Sequence, residues 1–145
     1  MFALLGDLAM PTKVIVAGKG GSGKSTIATL IARLAAGKGR HVIVVDADES
    51  NPGIQRMIGP ARSSAGLMDA VGGREHVFGS VKDASSAELQ SAVTSVVEEA
   101  KGSDLYVVQV GKIRNAGSGC ACPHGAITRE ILSYPFNDET LVVVD

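Results

Sequence analysis

Four groups of residues in this chain have types and spacings that can do chemistry. The first is Gly18-Lys19-Gly20-Gly21-Ser22-Gly23-Lys24-Ser25-Thr26, which satisfies the phosphate-binding pattern G-x-x-x-x-G-K-[ST]. Its glycines, Gly20, Gly21 and Gly23 among them, let the backbone turn its N–H groups inward around an anion, with Ser22 contributing through its backbone. A following helix N-terminus adds positive potential. Lys24 is placed to reach the β- and γ-phosphates of ATP or ADP, and the Ser25 hydroxyl to ligate Mg²⁺, with Thr26 completing the loop. The second group is Asp46-Ala47-Asp48, two carboxylates at the end of an apolar run. At i and i+2 they share a side of an extended chain, suited to polarising metal-bound water and orienting an attacking water. The third is Asp145, directly after Leu141-Val142-Val143-Val144. Four apolar residues closed by an aspartate form a Walker B pattern, whose carboxylate reaches Mg²⁺ through water. The fourth is Cys120-Ala121-Cys122. In an extended segment both sulfurs face one way and can meet one metal ion, whereas a disulfide across a single residue is strained.

These groups need elements to hold them. Val14–Ala17, Val42–Val45, Leu105–Val110 and Leu141–Val144 read as parallel strands, because continuous apolar runs suit a sheet covered on both faces. After the glycine loop, Ile27, Leu30, Ile31 and Leu34 recur at i, i+3, i+4 and i+7, one face of a helix over about Lys24 to Ala36 that stops at Gly37. A second helix is expected from Ser85, whose spacing to Glu88 is a capping box, with Leu89, Val93, Val96, Val97 and Ala100 on one face and Gly102 at its end. A third starts at Pro123, with Ile127 and Ile131 facing inward. Within the less readable residues 50–84, Ser64–Val71 suggests a short helix closed by Gly72-Gly73, and Arg74–Lys82 a small strand or loop. Strands alternating with helices give an α/β, doubly wound, mostly parallel sheet. Residues 1–11 read as an N-terminal extension and residues 12–145 as the domain.

Bulk composition is compatible with this. The chain has 145 residues, 45% hydrophobic and 20% charged, enough for one core, and 3% aromatic, so that core must be aliphatic. A net charge of −1 gives no reason to expect nucleic acid or an anionic membrane surface as a partner. No run approaches the ~18 apolar residues of a spanning helix. The first residues lack a basic start and carry Asp7, so no signal peptide is expected and the reading is cytoplasmic.

Lys19 makes the loop more specific. K-G-G-x-G-K-S-T resembles the deviant Walker loop of the MinD/ParA/nitrogenase-iron-protein superfamily of ATPases. The resemblance implies that Lys19 reaches across a homodimer interface to the partner's nucleotide. There it would stabilise developing phosphoryl charge as an arginine finger does. It also implies that Asp48 activates water and that Asp46 lies close to the metal shell. That superfamily's later strands, second switch glycine and adenine contacts would lie beyond Asp145. The chain is therefore expected to be the N-terminal part of a longer protein, with a sheet edge left open.

The two cysteines narrow the resemblance. Two thiolates leave a tetrahedral or square-planar site half empty, so the missing ligands come from water, His124 or a second copy of the chain. Together with the loop and the D-x-D pair, the segment V-G-K-I-x-x-x-G-S-G-C-A-C-P resembles the CooC family, ATPases that help insert nickel into carbon monoxide dehydrogenase. This implies that Cys120 and Cys122 of two protomers bind one nickel or zinc ion, that ATP controls dimer geometry, and that the partner is carbon monoxide dehydrogenase or a similar nickel enzyme. Ser22 departs from that family's usual valine, at a position where the contact is through backbone. A positioning ATPase without a metal role is the alternative.

Overall fold

The computed structural model describes residues 12–48, 53–59, 66–73, 86–100, 103–111 and 122–145. Along the chain these form β1 (Thr12–Ile15), α1 (Lys24–Ala36), β2 (Val42–Asp46), α2 (Ile54–Ile58), α3 (Leu67–Ala70), α4 (Ser86–Val96), β3 (Glu98–Glu99), β4 (Leu105–Gln109), α5 (Cys122–Ser133) and β5 (Leu141–Val144). The strands make one sheet in the order β1-β5-β2-β4-β3, parallel throughout except for β3, which runs antiparallel to β4. Val143 pairs with Val14 on one side and Val44 on the other.

Strand alternation divides the core in two. Ile43, Val45, Val108, Val142 and Val144 face α3, α4 and α5 through Leu67, Met68, Val93, Val96, Ile127 and Ile131. Val42, Val44, Val107, Leu141 and Val143 face α1 and α2 through Ala28, Ala32, Ala35, Ile54 and Ile58. Every residue of β2 and β5 is buried, because both strands lie inside the sheet with helices on either face. Each fully buried aliphatic side chain contributes about 1.5–3 kcal/mol. The doubly wound α/β expectation holds.

Several local expectations change. The first strand begins two residues earlier than the apolar run suggests, and Ile15 is 60% exposed. It is an edge strand, so its burial alternates. β5, the strand ahead of Asp145, lies inside the sheet between β1 and β2. Helix α1 spans the expected residues, but Ile27, Leu30 and Leu34 point outward and Ile31 is only half-buried. The buried face is Ala28, Thr29, Ala32 and Ala35, since small side chains let the helix lie close to the sheet. Gly37 keeps right-handed geometry; the left-handed turn falls on Gly39, at φ +79°.

Helix α4 stops at Val96 rather than near Gly102. The chain instead turns into β3, where Ala100 N–H donates to Leu105 O at 2.8 Å. A free β4 edge offers that segment backbone partners that a helical end would not have. The capping box at Ser85 and the inward side chain of Leu89 lie outside the described residues, as does Arg74–Lys82. Helix α5 begins one residue before Pro123, and Ile127 and Ile131 are buried as expected. The short helix at Leu67–Ala70 is followed by Gly72 and Gly73, both at positive φ. Among the described residues no helix is long and apolar enough to cross a membrane.

Candidate functional site: the phosphate loop and its carboxylates

The loop from β1 to α1 and the C-terminal ends of β2 and β5 converge on one edge of the sheet, where open α/β sheets bind ligands. Gly21 (φ +76°) and Gly23 (φ +84°) adopt left-handed geometry that side chains with a Cβ resist. Gly18 is packed closely by the side chains that follow it. A Cβ there would lie 3.0 Å from Ser22 Oγ and 3.7 Å from Cγ and Cδ of Lys24, so the lysine stem passes directly over the Gly18 backbone. Lys19 is exposed at the start of a turn closed by Ser22 N–H donating to Lys19 O at 3.2 Å. Among the described residues no capping side chain bonds the start of α1, and no acidic residue stands in its first turn. Its positive end is left open to an anion.

Ser25 and Asp145, remote in sequence, meet here. The Ser25 hydroxyl donates to Asp145 Oδ2 at 2.5 Å. Asp145 Oδ1 is buried and has no hydrogen-bond partner among the described residues. The backbone fixes this carboxylate: Asp145 N–H donates to Val45 O at 3.0 Å, and Ala47 N–H donates to Asp145 O at 3.1 Å. A hydroxyl beside a carboxylate with one unsatisfied oxygen is a hard, oxygen-only donor set, and it fits Mg²⁺.

Asp46 is 1% exposed. Its Oδ2 accepts from Gly53 N–H at 3.0 Å and Ile54 N–H at 3.1 Å, and its Oδ1 faces Asp48 N–H at 3.4 Å. Burial pushes its carboxyl up to about 6; the N–H groups of Ile54, Asp48 and Gly53 oppose that rise, and the negative charge of Asp145 adds to it. Asp48 follows two residues past the end of β2, half-buried.

The structure thus gathers the glycine loop with Lys24, Ser25, Asp46, Asp48 and Asp145 at one end of the sheet. Cys120, and the side chain of Cys122, lie outside the described residues; the backbone of Cys122 opens α5. Among the described residues no group of three or more His, Cys, Asp or Glu could hold a metal ion. Sequence reasoning missed α2 and the backbone N–H groups that bind Asp46. A signal for the helix was present in the sequence pattern, Pro52-Gly53 followed by Ile54, Met57 and Ile58 at helical spacing.

Residues 13–107 match the model of the CobQ/CobB/MinD/ParA nucleotide binding domain. The chain belongs to that family. An uncharacterized ATP-binding protein of Methanocaldococcus jannaschii is 35% identical over 142 residues, covering 92% of this chain and 57% of that protein. The carbon monoxide dehydrogenase accessory protein CooC of Rhodospirillum rubrum is 31% identical over 129 residues, covering 84% of this chain and 49% of CooC. The chain therefore spans about half the length of the curated relatives it matches. Among solved structures, the kinase domain of the Escherichia coli tyrosine kinase ETK superposes with a TM-score of 0.60 at 19% identity, over 96% of this chain and 47% of that one, a likeness of fold.

Proposed function

We propose that this domain hydrolyses ATP as a homodimer and uses the cycle to deliver nickel or zinc during maturation of carbon monoxide dehydrogenase or a similar nickel enzyme. The observation that carries the nucleotide half is the Ser25–Asp145 contact beneath an uncapped helix N-terminus. The loop N–H groups and Lys24 bind the β- and γ-phosphates. Ser25 and Asp145 would hold Mg²⁺, with Asp46 close to that shell rather than in it; the ion when bound would supply positive charge against the transferred phosphoryl. Asp48 orients the attacking water, and Lys19, exposed on its turn, reaches the partner protomer's nucleotide. The metal half is supported by the likeness to CooC and by Cys120-Ala121-Cys122. Thiolates from two protomers hold one ion as cargo.

The test is a metal titration with and without ATP and Mg²⁺, reading dimerisation by sedimentation and bound metal by elemental analysis. One metal per dimer is expected, lost in Cys120→Ser or Cys122→Ser and altered by nucleotide. ATP-driven dimerisation with no cysteine-dependent metal would overturn the chaperone reading. It would favour the second reading, a positioning switch, which the MinD/ParA family match supports.

A further inference from the structure

We propose that Asp46 is a positioning residue for ATP hydrolysis: its two carboxylate oxygens tie the Asp48 backbone to the start of α2 and so fix where Asp48 stands. The proposal rests on the reading of Asp48 as the residue that orients water. One oxygen faces the Asp48 N–H, while the other accepts both Gly53 and Ile54 N–H groups. One side chain thereby joins two points of the chain that follows β2.

The far end of the tie is a fixed strut. Ile54 and Ile58 are buried in the layer under α1. The guanidinium of Arg33 donates from Nη2 to Met57 O at 2.6 Å, placing a cation at the C-terminal end of α2 while Asp46 places an anion at its N-terminal end. Gly59, at φ +74°, closes the helix. The near end is equally fixed, since Val110 N–H donates to Asp46 O at 2.9 Å inside the sheet. With Oδ2 already accepting two N–H groups, much of the carboxylate's acceptor capacity is committed to backbone. A metal ligand at this position would have that capacity facing the metal instead.

The experiment measures steady-state ATP hydrolysis against ATP and against Mg²⁺ for the wild-type chain, Asp46→Ala, Asp46→Asn, Asp48→Ala and the double variant Asp46→Ala/Asp48→Ala. Misplacing a catalytic group by an ångström costs on the order of 100-fold. The expected result for Asp46→Ala is a kcat lowered about 10- to 100-fold, with KM for ATP and half-saturating Mg²⁺ both within about twofold of wild type. Asp46→Asn keeps an acceptor for the α2 N–H groups and loses only the Asp48 contact. Its kcat should fall less, again with unchanged Mg²⁺ dependence. The double variant should be no slower than Asp48→Ala, because Asp46 acts only through Asp48.

A rise of about tenfold or more in half-saturating Mg²⁺ in both Asp46 variants would overturn the proposal in favour of a metal ligand. Full additivity in the double variant would overturn it too, as would unchanged kcat in folded Asp46→Ala. Wild-type kcat in Asp48→Ala would instead sink the underlying reading of Asp48, whatever the Asp46 variants do. If Asp46→Ala does not fold, Asp46→Asn with Asp46→Asn/Asp48→Ala gives the same comparison.

Discussion

Two helix N-termini lie on the functional edge of the sheet, and the protein treats them in opposite ways. That of α2 is filled from within, by the buried carboxylate of Asp46 bonded to the Gly53 and Ile54 N–H groups. That of α1 is reached through two left-handed glycines, has no acidic residue in its first turn and, among the described residues, carries no capping side chain. A helix start without a protein partner leaves N–H groups and positive potential unsatisfied. The difference separates the end the protein neutralises for its own structure from the end where the proposed function places a ligand's phosphate.

Removing the cation beside the open end should have the largest effect. Lys24→Ala is expected to weaken ATP binding by roughly 100-fold, measured by equilibrium titration, through loss of a charge-assisted contact to phosphate. The filled end makes a pH prediction of nearly equal size. Asp46 rises from 3.8 to about 6 on folding, so the native state binds more protons than the unfolded chain between those values. Its contribution is fully present below about pH 4 and is lost as pH rises through about 6, a decline of about 3 kcal/mol. Denaturant unfolding across that window should show the decline in the wild-type chain and not in Asp46→Asn; equal slopes in both would contradict it.

Making the open end resemble the filled one sharpens the comparison further. Thr26→Asp places a carboxylate in the first turn of α1, which should stabilise the helix by about 0.3–1 kcal/mol while weakening ATP binding by about tenfold. Thermal melts and ATP titration separate the two effects. The smallest effect belongs to the outer face of the same helix. Leu34 is 67% exposed, and Leu34→Gln should change stability by no more than about 0.5 kcal/mol. Ala32→Leu, on the face against the sheet, should cost about 1–3 kcal/mol through overpacking.

The same contrast explains what was legible in the sequence. The phosphate loop, β2, β5 and the start of α5 follow from local patterns of glycine, apolar runs and a first-turn proline. Ser25 and Asp145 were recognisable as partners because each ends a motif of its own, although the chain between them has to fold to bring them together. The inner face of α1 was not legible, because an apolar pattern ranks leucine and isoleucine above the alanines that permit close approach to the sheet. The end of α4 was lost to a strand pairing that no helical periodicity encodes. The spacing of Ile54, Met57 and Ile58 marks the five-residue helix, but its bond to Asp46 runs through backbone N–H groups that no side-chain pattern encodes. The C-x-C motif is plain in the sequence, but Cys120 and the Cys122 side chain lie outside the described residues.

The most direct test of the central claim, that α1 and the Ser25–Asp145 pair form the nucleotide site, is ATP affinity with and without Mg²⁺ in the wild-type chain and in Ser25→Ala. Mg²⁺ should tighten ATP binding about tenfold or more in the wild-type chain, and that gain should vanish in Ser25→Ala while metal-free affinity persists. Affinity indifferent to Mg²⁺ in both proteins, or no ATP binding at all, would contradict the account.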